Sequence, residues 1–235
     1  MSTIVFLRHA QASLFSENYD QLSELGQQQA NELGRYLAGK ELTFDEVYTG
    51  PRQRHRHTLT LAAEHTTQLP AMTEIPELDE HHVDQLVTDH LEPVMDQFPH
   101  VRALRDAFRT ATDFPDRQKR FAVLFEAVAL LWMTETCPLS GVESWAQFSR
   151  RVNSGIDRML QQSGRGRNIL VCTSAGAIVA ALHRALRCPE EIALGLGWRI
   201  WNCSITGFAY SGNRFSLDRF NSMAHLENPD HWTYR

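Results

Sequence analysis

The chain is poor in the features that mark membrane, secreted and nucleic-acid-binding proteins. Its only lysines are Lys40 and Lys119, and its formal net charge of -5 argues against a general nucleic-acid binder. No apolar run approaches the roughly 18–20 residues that cross a bilayer. The start, Met1-Ser2-Thr3, also lacks the basic stretch of a signal peptide. We therefore expect a cytoplasmic protein that binds neither membrane nor nucleic acid.

Cysteine is also sparse, with four residues and no C-x-x-C pair: Cys137, Cys172, Cys188 and Cys203. Reduced structural thiols are favoured over a disulfide framework. A hydrophobic content of 43% with 22% charged residues is ordinary for a globular protein, and 235 residues can bury a sizeable core. These values predict a single domain over residues 1–235.

Strand-like and helical segments alternate in much of the chain. An apolar run at residues 4–7 predicts a strand, and a following helix has an apolar stripe that Ser23 can cap. A short strand is predicted at 46–48, and an apolar run at 169–172 is typical of a buried parallel strand. The alternation predicts an α/β fold, a three-layer α/β/α sandwich with a mostly parallel, doubly wound sheet.

Two segments depart from this alternation. From about 83 to 136 several apolar stripes of helical period follow one another with no strand between them, which predicts a helical insertion over one end of the sheet. It could act as a lid or simply add core and surface, and both interpretations stay open. Near the end, Gly212-Asn213 lies between two strand-like segments and predicts a tight hairpin.

Polar residues follow the predicted strands. Arg8 and His9 end the first strand, Arg54 opens the helix after the second, and Ser174 joins the late strand to its helix. Ligands of doubly wound sheets collect at the carboxyl ends of the strands, so these side chains should share one edge. A guanidinium fork there suits phosphate oxygens. Glu80, which follows Leu78-Asp79, adds a carboxyl group to the set.

The order of these motifs resembles the histidine phosphatase superfamily, in its phosphoglycerate mutase-like branch. Leu7-Arg8-His9-Ala10 is similar to the Arg-His-Gly signature, and Leu78-Asp79-Glu80 is similar to the acid motif. Further similar motifs are Leu22-Ser23-Glu24-Leu25-Gly26 with Gln29-Ala30, Thr49-Gly50-Pro51 with Arg54 and Thr58, Gly141-Val142-Glu143-Ser144 with Phe148 and Arg151-Val152, and Asn202-Cys203-Ser204. The resemblance covers most of the chain outside the helical insertion.

The resemblance implies a role for each site residue. His9 is the nucleophile that takes the phosphoryl group, Arg8 and Arg54 clamp it, and Glu80 gives a proton to the leaving oxygen. General chemistry agrees, because nearby guanidinium groups disfavour a protonated imidazole and stabilise the transferring phosphoryl group without a metal. The implied activity is a metal-independent phosphomonoesterase that acts on a small phosphorylated substrate through a phosphohistidine and needs no cofactor.

Two departures from the family pattern bear on activity. The chain has Thr-Ser-Ala at 173–175 where the family has Ser-His-Gly with a second histidine. Loss of one such donor costs on the order of 10²–10³ in rate. Ser174, with the N–H groups of Ala175 and Gly176 at a helix start, could still bind phosphate. Ala10 replaces the usual glycine and adds a methyl group beside the nucleophile.

Other histidines were considered as replacements for the missing donor. His81 and His82 follow Glu80 and could supply it, or they could be exposed loop residues. In the basic run at 52–57, only Arg54 is expected in the pocket, with the other residues outside it. Metal binding is disfavoured, because neighbouring histidines rarely chelate one ion and no second ligand pair has helical spacing.

Two other functions stay open beside the hydrolase. A phosphoglycerate-mutase-type phosphotransferase is less favoured, because the segment after Arg8-His9 lacks the Asn/Trp-rich, Gly-Trp-containing stretch of glycolytic mutases. A catalytically impaired phosphate-ester binding protein is suggested by Ser174 and Ala10. The sequence leaves the substrate and the oligomeric state open, a homodimer included.

Overall fold

The computed structural model describes residues 1–13, 20–66, 69–81, 91–136, 142–161 and 166–234. The chain divides into two compact units. The first contains Met1–Glu80 and Arg151–Arg235, and the second is His81–Arg150. The second unit overlaps the segment at about 83–136 that was predicted to be a helical insertion. Its placement over the sheet stays a prediction.

The first unit is built on one six-stranded sheet. Its strands are β1 (Ser2–Arg8), β2 (Glu46–Thr49), β3 (Met72–Glu74), β4 (Asn168–Thr173), β5 (Ile205–Ser211) and β6 (Arg214–Ser222). They lie in the order β3-β2-β4-β1-β5-β6. Strands β1 to β4 pair in parallel, whereas β5 pairs antiparallel with both β1 and β6. The predicted α/β class with a largely parallel sheet is therefore confirmed, with an antiparallel hairpin at one edge.

Helices connect most of these strands. The described α-helices are α1 (Glu24–Gly39), α2 (Gln53–Ala63), α3 (Leu91–Gln97), α4 (Pro99–Arg109), α5 (Phe114–Met133), α6 (Trp145–Leu160), α7 (Ala175–Leu186) and α8 (Glu190–Gly197). Short 3-10 helices occupy Pro76–Leu78 and Pro229–His231. Within the described ranges, no helix combines the length and the apolar character that crossing a membrane requires.

The central strands of the sheet are buried on both faces. Along β1, side chains alternate between faces, so Leu7 joins a core cluster with Leu33 of α1 and Leu59 of α2. Phe6, one residue earlier, points the other way and meets Phe208 of β5 edge to face at 5.7 Å between ring centroids. Helix α7 packs against β1 and β6. Helices that pack against the buried central strands form the layered arrangement that the sequence predicted.

Strand register sets the position of the candidate site. Arg8 at the end of β1 lies opposite Thr173 at the end of β4, and Thr49 at the end of β2 lies opposite Cys172. The three neighbouring strands therefore finish level with one another. The residues that directly follow them emerge at one edge of the sheet, which is where open α/β sheets bind ligands.

The second unit contains helices α3 to α5 and the first turns of α6. Asp113 caps α5, because its carboxylate accepts a hydrogen bond of 2.8 Å from the N–H of Asp116. Pro99 and Pro115 occupy the first turns of α4 and α5, where the missing N–H has no helical partner to lose. These prolines begin helices here, so they act as boundaries between consecutive helices.

Candidate active site

The backbone of His9 is fixed on both sides as it leaves β1. Its N–H donates to the carbonyl of Thr173 over 2.9 Å, and its carbonyl accepts from the N–H of Cys203 over 3.1 Å and from Nδ2 of Asn202 over 3.4 Å. The motif Asn202-Cys203-Ser204 therefore anchors the carbonyl of the candidate nucleophile. The side chain is buried, with 4% of His9 exposed.

One tautomer of His9 follows from its hydrogen bonds. Nδ1 lies 2.7 Å from the carbonyl oxygen of Ala10, and a carbonyl oxygen only accepts, so Nδ1 carries the proton. Burial, then the charges of Arg54 and Arg8, hold the pKa of His9 well below its usual value. The imidazole is neutral at pH 7, with its lone pair on Nε2.

Arg54 connects the two sides of the site. From its position near the start of α2, its Nε donates to Nε2 of His9 over 3.2 Å and its Nη2 donates to Oγ of Ser174 over 3.3 Å. Nη1 pairs with Oδ1 of Asp20 at 2.8 Å. Asp20 also accepts from the N–H of Gln53 over 2.7 Å and so caps α2. Sequence reasoning found Arg54 and missed Asp20, which fixes its guanidinium.

Arg8, the other arginine of the expected clamp, ends β1. Its backbone N–H donates to the carbonyl of Ser204 over 3.1 Å, and its Nη1 donates to the carbonyl of Ile200. The charge of Arg8 acts on His9, because it contributes to lowering the pKa of that imidazole. The two arginines predicted to flank the nucleophile are thus both within electrostatic reach of it.

Glu80 lies beside the N-terminus of α7. Its Oε2 accepts from the N–H of Gly176 over 3.3 Å, and its own N–H donates to Oδ1 of Asp79 over 2.8 Å. Arg52 forms an ion pair with Asp79, and Nη1 of Arg151 donates to the carbonyl of Asp79 over 3.1 Å. Two arginines therefore hold the segment that carries Glu80. Arg52, which was expected outside the pocket, supports this segment.

The candidate anion cradle at the start of α7 is partly engaged. Ser174 is the N-cap residue and Ala175 is the first helical residue, as the sequence predicted. The N–H of Gly176, which was predicted to bind phosphate, donates to Glu80 in this structure. Because of this contact, the predicted proton donor lies beside the predicted phosphate-binding turn.

His55 is the residue that sequence reasoning placed wrongly. It was expected outside the pocket, but it is fully buried, and its Nε2 lies 2.7 Å from Oγ of Ser174. Its ring centroid is 5.6 Å from that of His9. Burial, then the charges of Arg54 and Arg52, hold the pKa of His55 well below its usual value. The only signal in the sequence was its position directly after Arg54.

His81 and His82 were considered as substitute donors. His81 belongs to the second unit, where its ring centroid lies 5.1 Å from Trp132, 5.6 Å from Phe148 and 6.3 Å from Phe125. His82 lies outside the described residues. A compensating role for either histidine stays a prediction.

Positive charge at the site comes from arginine. Over the part of the chain that the structure describes, no group of three or more His, Cys, Asp or Glu side chains could hold a metal ion. The expectation that no cofactor is needed stays a prediction. Arg8 and Arg54 provide the guanidinium groups that a phosphate dianion would require.

Two sequence comparisons test how the chain relates to known proteins. The family model described as the histidine phosphatase superfamily (branch 1) matches residues 4–131 and 126–223. No curated protein sequence gives a match.

Solved structures share the fold. A mutant phosphoserine phosphatase from Entamoeba histolytica, in complex with phosphoserine, has a TM-score of 0.65 at 18% identity, covering 96% of this chain and all of that one (100%). An alpha-ribazole phosphatase from Shigella flexneri has a TM-score of 0.63 at 20% identity, with 94% and 96% covered. A mycobacterial glucosyl-3-phosphoglycerate phosphatase has a TM-score of 0.63 at 20% identity, with 95% and 100% covered. Since the family model matches most of its length, the chain belongs to the histidine phosphatase superfamily.

Proposed function

We propose that the protein is a metal-independent phosphomonoester hydrolase that works through a phosphohistidine on His9. Membership of the superfamily supports phosphoester hydrolysis or transfer. The observation that carries the finer proposal is the state of His9: Nδ1 is held by the carbonyl of Ala10, and the neutral ring keeps the lone pair of Nε2 beside the guanidinium of Arg54. A nucleophilic nitrogen next to a phosphate-binding cation is the arrangement that phosphoryl transfer needs.

The first chemical step forms a bond from Nε2 of His9 to phosphorus while the ester P–O bond breaks. The phosphoryl group takes the place of the Arg54 Nε–H on Nε2, which frees that N–H to donate to a phosphoryl oxygen. Nδ1 keeps its proton and its bond to Ala10, so the phosphorylated ring is cationic. Its charge is balanced by the phosphoryl oxygens, and in the next step the P–N bond can break with neutral imidazole as the leaving group.

Glu80 is proposed to manage the protons. In its acid form it protonates the leaving alkoxide, which departs as an alcohol. The resulting carboxylate then accepts a proton from water as the water oxygen attacks phosphorus and the P–N bond breaks. The products are the alcohol and inorganic phosphate, and His9 returns to its neutral form. The support for Glu80 is its place at the turn between β4 and α7, where its segment is held by Arg52 and Arg151.

A panel of small phosphate esters, assayed for released phosphate with a chelator present, tests the proposal. We expect the wild-type protein to release phosphate and His9→Ala to release none. His9 is buried, so His9→Gln should accompany it as a variant of similar volume, with circular dichroism to confirm that each protein is folded. Acid-labile, base-stable phosphate on the wild-type protein after rapid quenching would identify the phosphohistidine. Undiminished turnover in His9→Gln would refute the nucleophile.

The same panel separates the two other functions. A phosphotransferase would interconvert phosphoglycerates faster than it releases phosphate. A phosphate-ester binding protein would bind inorganic phosphate and release none from any ester. Among the residues that the structure describes, no contact favours either function over hydrolysis. A small phosphorylated substrate and a cytoplasmic location remain part of the proposal.

A further inference from the structure

The pair formed by Ser174 and His55 has no part in the proposed steps, although both residues are buried within the candidate site. Their side chains approach to 2.7 Å, between Oγ and Nε2, and they come from different elements, the β4–α7 turn and helix α2. We propose that the Ser174 hydroxyl donates a hydrogen bond to the bound phosphoryl group and that His55 is the positioning residue that orients it. The inference rests on the proposed function, since it assigns the donor that binds the phosphoryl oxygen.

The hydrogen-bond capacity of Ser174 supports this orientation. A hydroxyl group has one proton and two lone pairs. Nη2 of Arg54 donates to Oγ at 3.3 Å and occupies one lone pair. If Nε2–H of His55 occupies the second, neither partner can accept the hydroxyl proton. That proton is then directed to a third acceptor, and a phosphoryl oxygen beside Arg54 is the acceptor that the proposed reaction brings.

The proposal requires the proton of His55 to lie on Nε2. Burial and the neighbouring arginines lower the pKa of His55, so its ring is neutral and carries one proton. The backbone of Gly50 beside Nδ1 acts in the opposite direction and raises this pKa. Because Nδ1 makes no hydrogen bond of good geometry there, we place the proton on Nε2, where Oγ of Ser174 accepts it.

The absence of a side chain at Gly50 leaves space for the imidazole of His55. A Cβ on Gly50 would lie 2.5 Å from Nδ1 of His55 and 2.8 Å from the carbonyl oxygen of Leu78, both too close for a real contact. Glycine at this position therefore leaves room for the imidazole next to the strand end. The buried ring is accommodated by the fold, and it is directed toward the candidate phosphate site.

The arrangement also accounts for the departure at residue 174. The family pattern has an imidazole in the β4–α7 turn, and this chain has a hydroxyl there. An imidazole is nevertheless present within hydrogen-bond distance of that hydroxyl, supplied by α2. We thus assign the role of the missing donor, for which His81 and His82 were considered, to the Ser174 hydroxyl. His55 is the residue that orients this hydroxyl.

A double-mutant cycle tests the pair with two measurements, the Kd of inorganic phosphate by calorimetry and kcat with 4-nitrophenyl phosphate. The proteins are Ser174→Ala, His55→Phe and the double variant, with His55→Gln as the conservative replacement and His57→Gln as the control on the same helix. We expect Ser174→Ala and His55→Phe each to weaken phosphate binding by about 10- to 100-fold, the range for a hydrogen bond to a charged group.

Coupling distinguishes positioning from general packing. If His55 acts through Ser174, His55→Phe should add less than about twofold to the loss in Ser174→Ala, because the hydroxyl it orients is already absent. His55→Gln should recover most of the lost affinity, since its amide N–H2 can still reach Oγ. Melting temperatures are recorded for every variant, so a loss of affinity that merely follows a loss of stability is recognised.

Three outcomes would overturn the pair. Losses that multiply in the double variant, no recovery with His55→Gln, or wild-type affinity in His55→Phe each contradict the inference. Failure of the proposed function is seen separately. If the wild-type protein binds phosphate but hydrolyses no ester, the hydrolase proposal fails while the phosphate affinities still decide the role of His55. If the wild-type protein does not bind phosphate at millimolar concentration, the inference fails as well.

Discussion

Nε of Arg54 donates to Nε2 of His9 over 3.2 Å, so the guanidinium lies on the lone pair that is proposed to attack phosphorus. This contact keeps the ring oriented before substrate binds. In the proposed reaction the same cation lies where charge would develop on the phosphoryl oxygens, and preorganised charge of this kind is a large contributor to catalysis. Since Asp20 holds the other side of the guanidinium at 2.8 Å, the cation is fixed from two directions.

Replacing Arg54 tests this contact. Arg54→Lys keeps a positive charge but loses the paired N–H donors of the guanidinium, and Arg54→Gln loses both the charge and the paired donors. We expect kcat/KM to fall by at least about 10²-fold in each variant. Arg56→Gln is the matched control, because Arg56 lies two residues further along α2 and pairs with Glu74 at the surface, 47% of its side chain being exposed. Steady-state kinetics with one aryl phosphate measure the effect. Equal activities for the Arg54 and Arg56 variants would contradict it.

The pH dependence of phosphohistidine formation should reflect the lowered pKa of His9. Burial and the arginine charges favour the neutral ring, so the nucleophile stays unprotonated when the pH falls through 6.5, the usual value. We expect the rate of phosphoryl transfer to His9 to keep its value down to pH 6, where an ordinary histidine would be largely protonated. Rapid-quench measurement of labelled protein between pH 5 and 8 gives this profile.

Arg54→Gln should move the pKa of His9 upward, since it removes the larger of the two arginine contributions. The titration can be followed by NMR on the imidazole nitrogens, which reports the pKa even where turnover is lost. A ring that titrates near 6.5 in the wild-type protein would show that burial and charge do not act as described.

The role of Glu80 should depend on the leaving group. An alkoxide needs a proton as it leaves, whereas a nitrophenolate leaves readily without one. We therefore expect Glu80→Gln to slow alkyl phosphates by about 10²–10⁴-fold, the range for general acid catalysis, and to slow 2,4-dinitrophenyl phosphate far less. Glu77→Gln is the control, because Glu77 lies on the same segment and pairs with Arg158 at 3.0 Å. An equal loss for both kinds of ester would exclude Glu80 as the acid.

Stability in acid should depend on His225, which is 5% exposed and lies beside Tyr36 with 5.9 Å between ring centroids. Burial lowers the pKa of His225 from 6.5 to about 4, against the opposing effect of the Cys203 backbone. In the unfolded chain the imidazole of His225 binds a proton as the pH falls below 6.5, whereas in the folded chain it stays neutral until about pH 4. The contribution of His225 to the free energy of unfolding is therefore fully present above pH 6.5. It declines as the pH falls from 6.5 toward 4, by up to about 3 kcal/mol.

His225→Phe keeps an aromatic ring in the core and removes this proton. Urea unfolding at pH 7, 6, 5 and 4.5 should give a shallower decline for the variant than for the wild-type protein. His9 and His55, whose pKa values are also lowered by burial, contribute to the remaining decline. Parallel curves for the two proteins would rule out His225 as a contributor.

Features that depend on neighbouring residues were predicted from the sequence. Ser23 caps α1 as expected, with Oγ accepting from the N–H of Gly26 over 3.0 Å. Gly212-Asn213 forms the turn between β5 and β6. The convergence of residues after β1, β2 and β4 also followed, because a parallel sheet places the ends of its strands together. Strand β3 was missed, since Met72–Glu74 is three residues long and all three residues are exposed, so no alternation reveals it.

Contacts between distant residues could not be predicted in this way. Asp20 and Arg54 are 34 positions apart, and His55 and Ser174 are 119 apart. No sequence spacing predicts either contact, because each contact depends on how a helix packs against the sheet. His55 lies in a basic run that is typical of a solvated helix face, and only tertiary packing turns its imidazole inward.

Gly50 has a consequence for how this site can change over evolution. Its bare backbone leaves the space that the ring of residue 55 fills, so a side chain gained at position 50 would collide with that ring and with the main chain at Leu78. A smaller residue at 55 would relieve only the first of these collisions, so a lineage that acquires alanine at 50 would also have to shift the main chain at Leu78. Residues 50 and 55 should therefore covary, and residue 174 should covary with them if His55 acts through Ser174 as proposed.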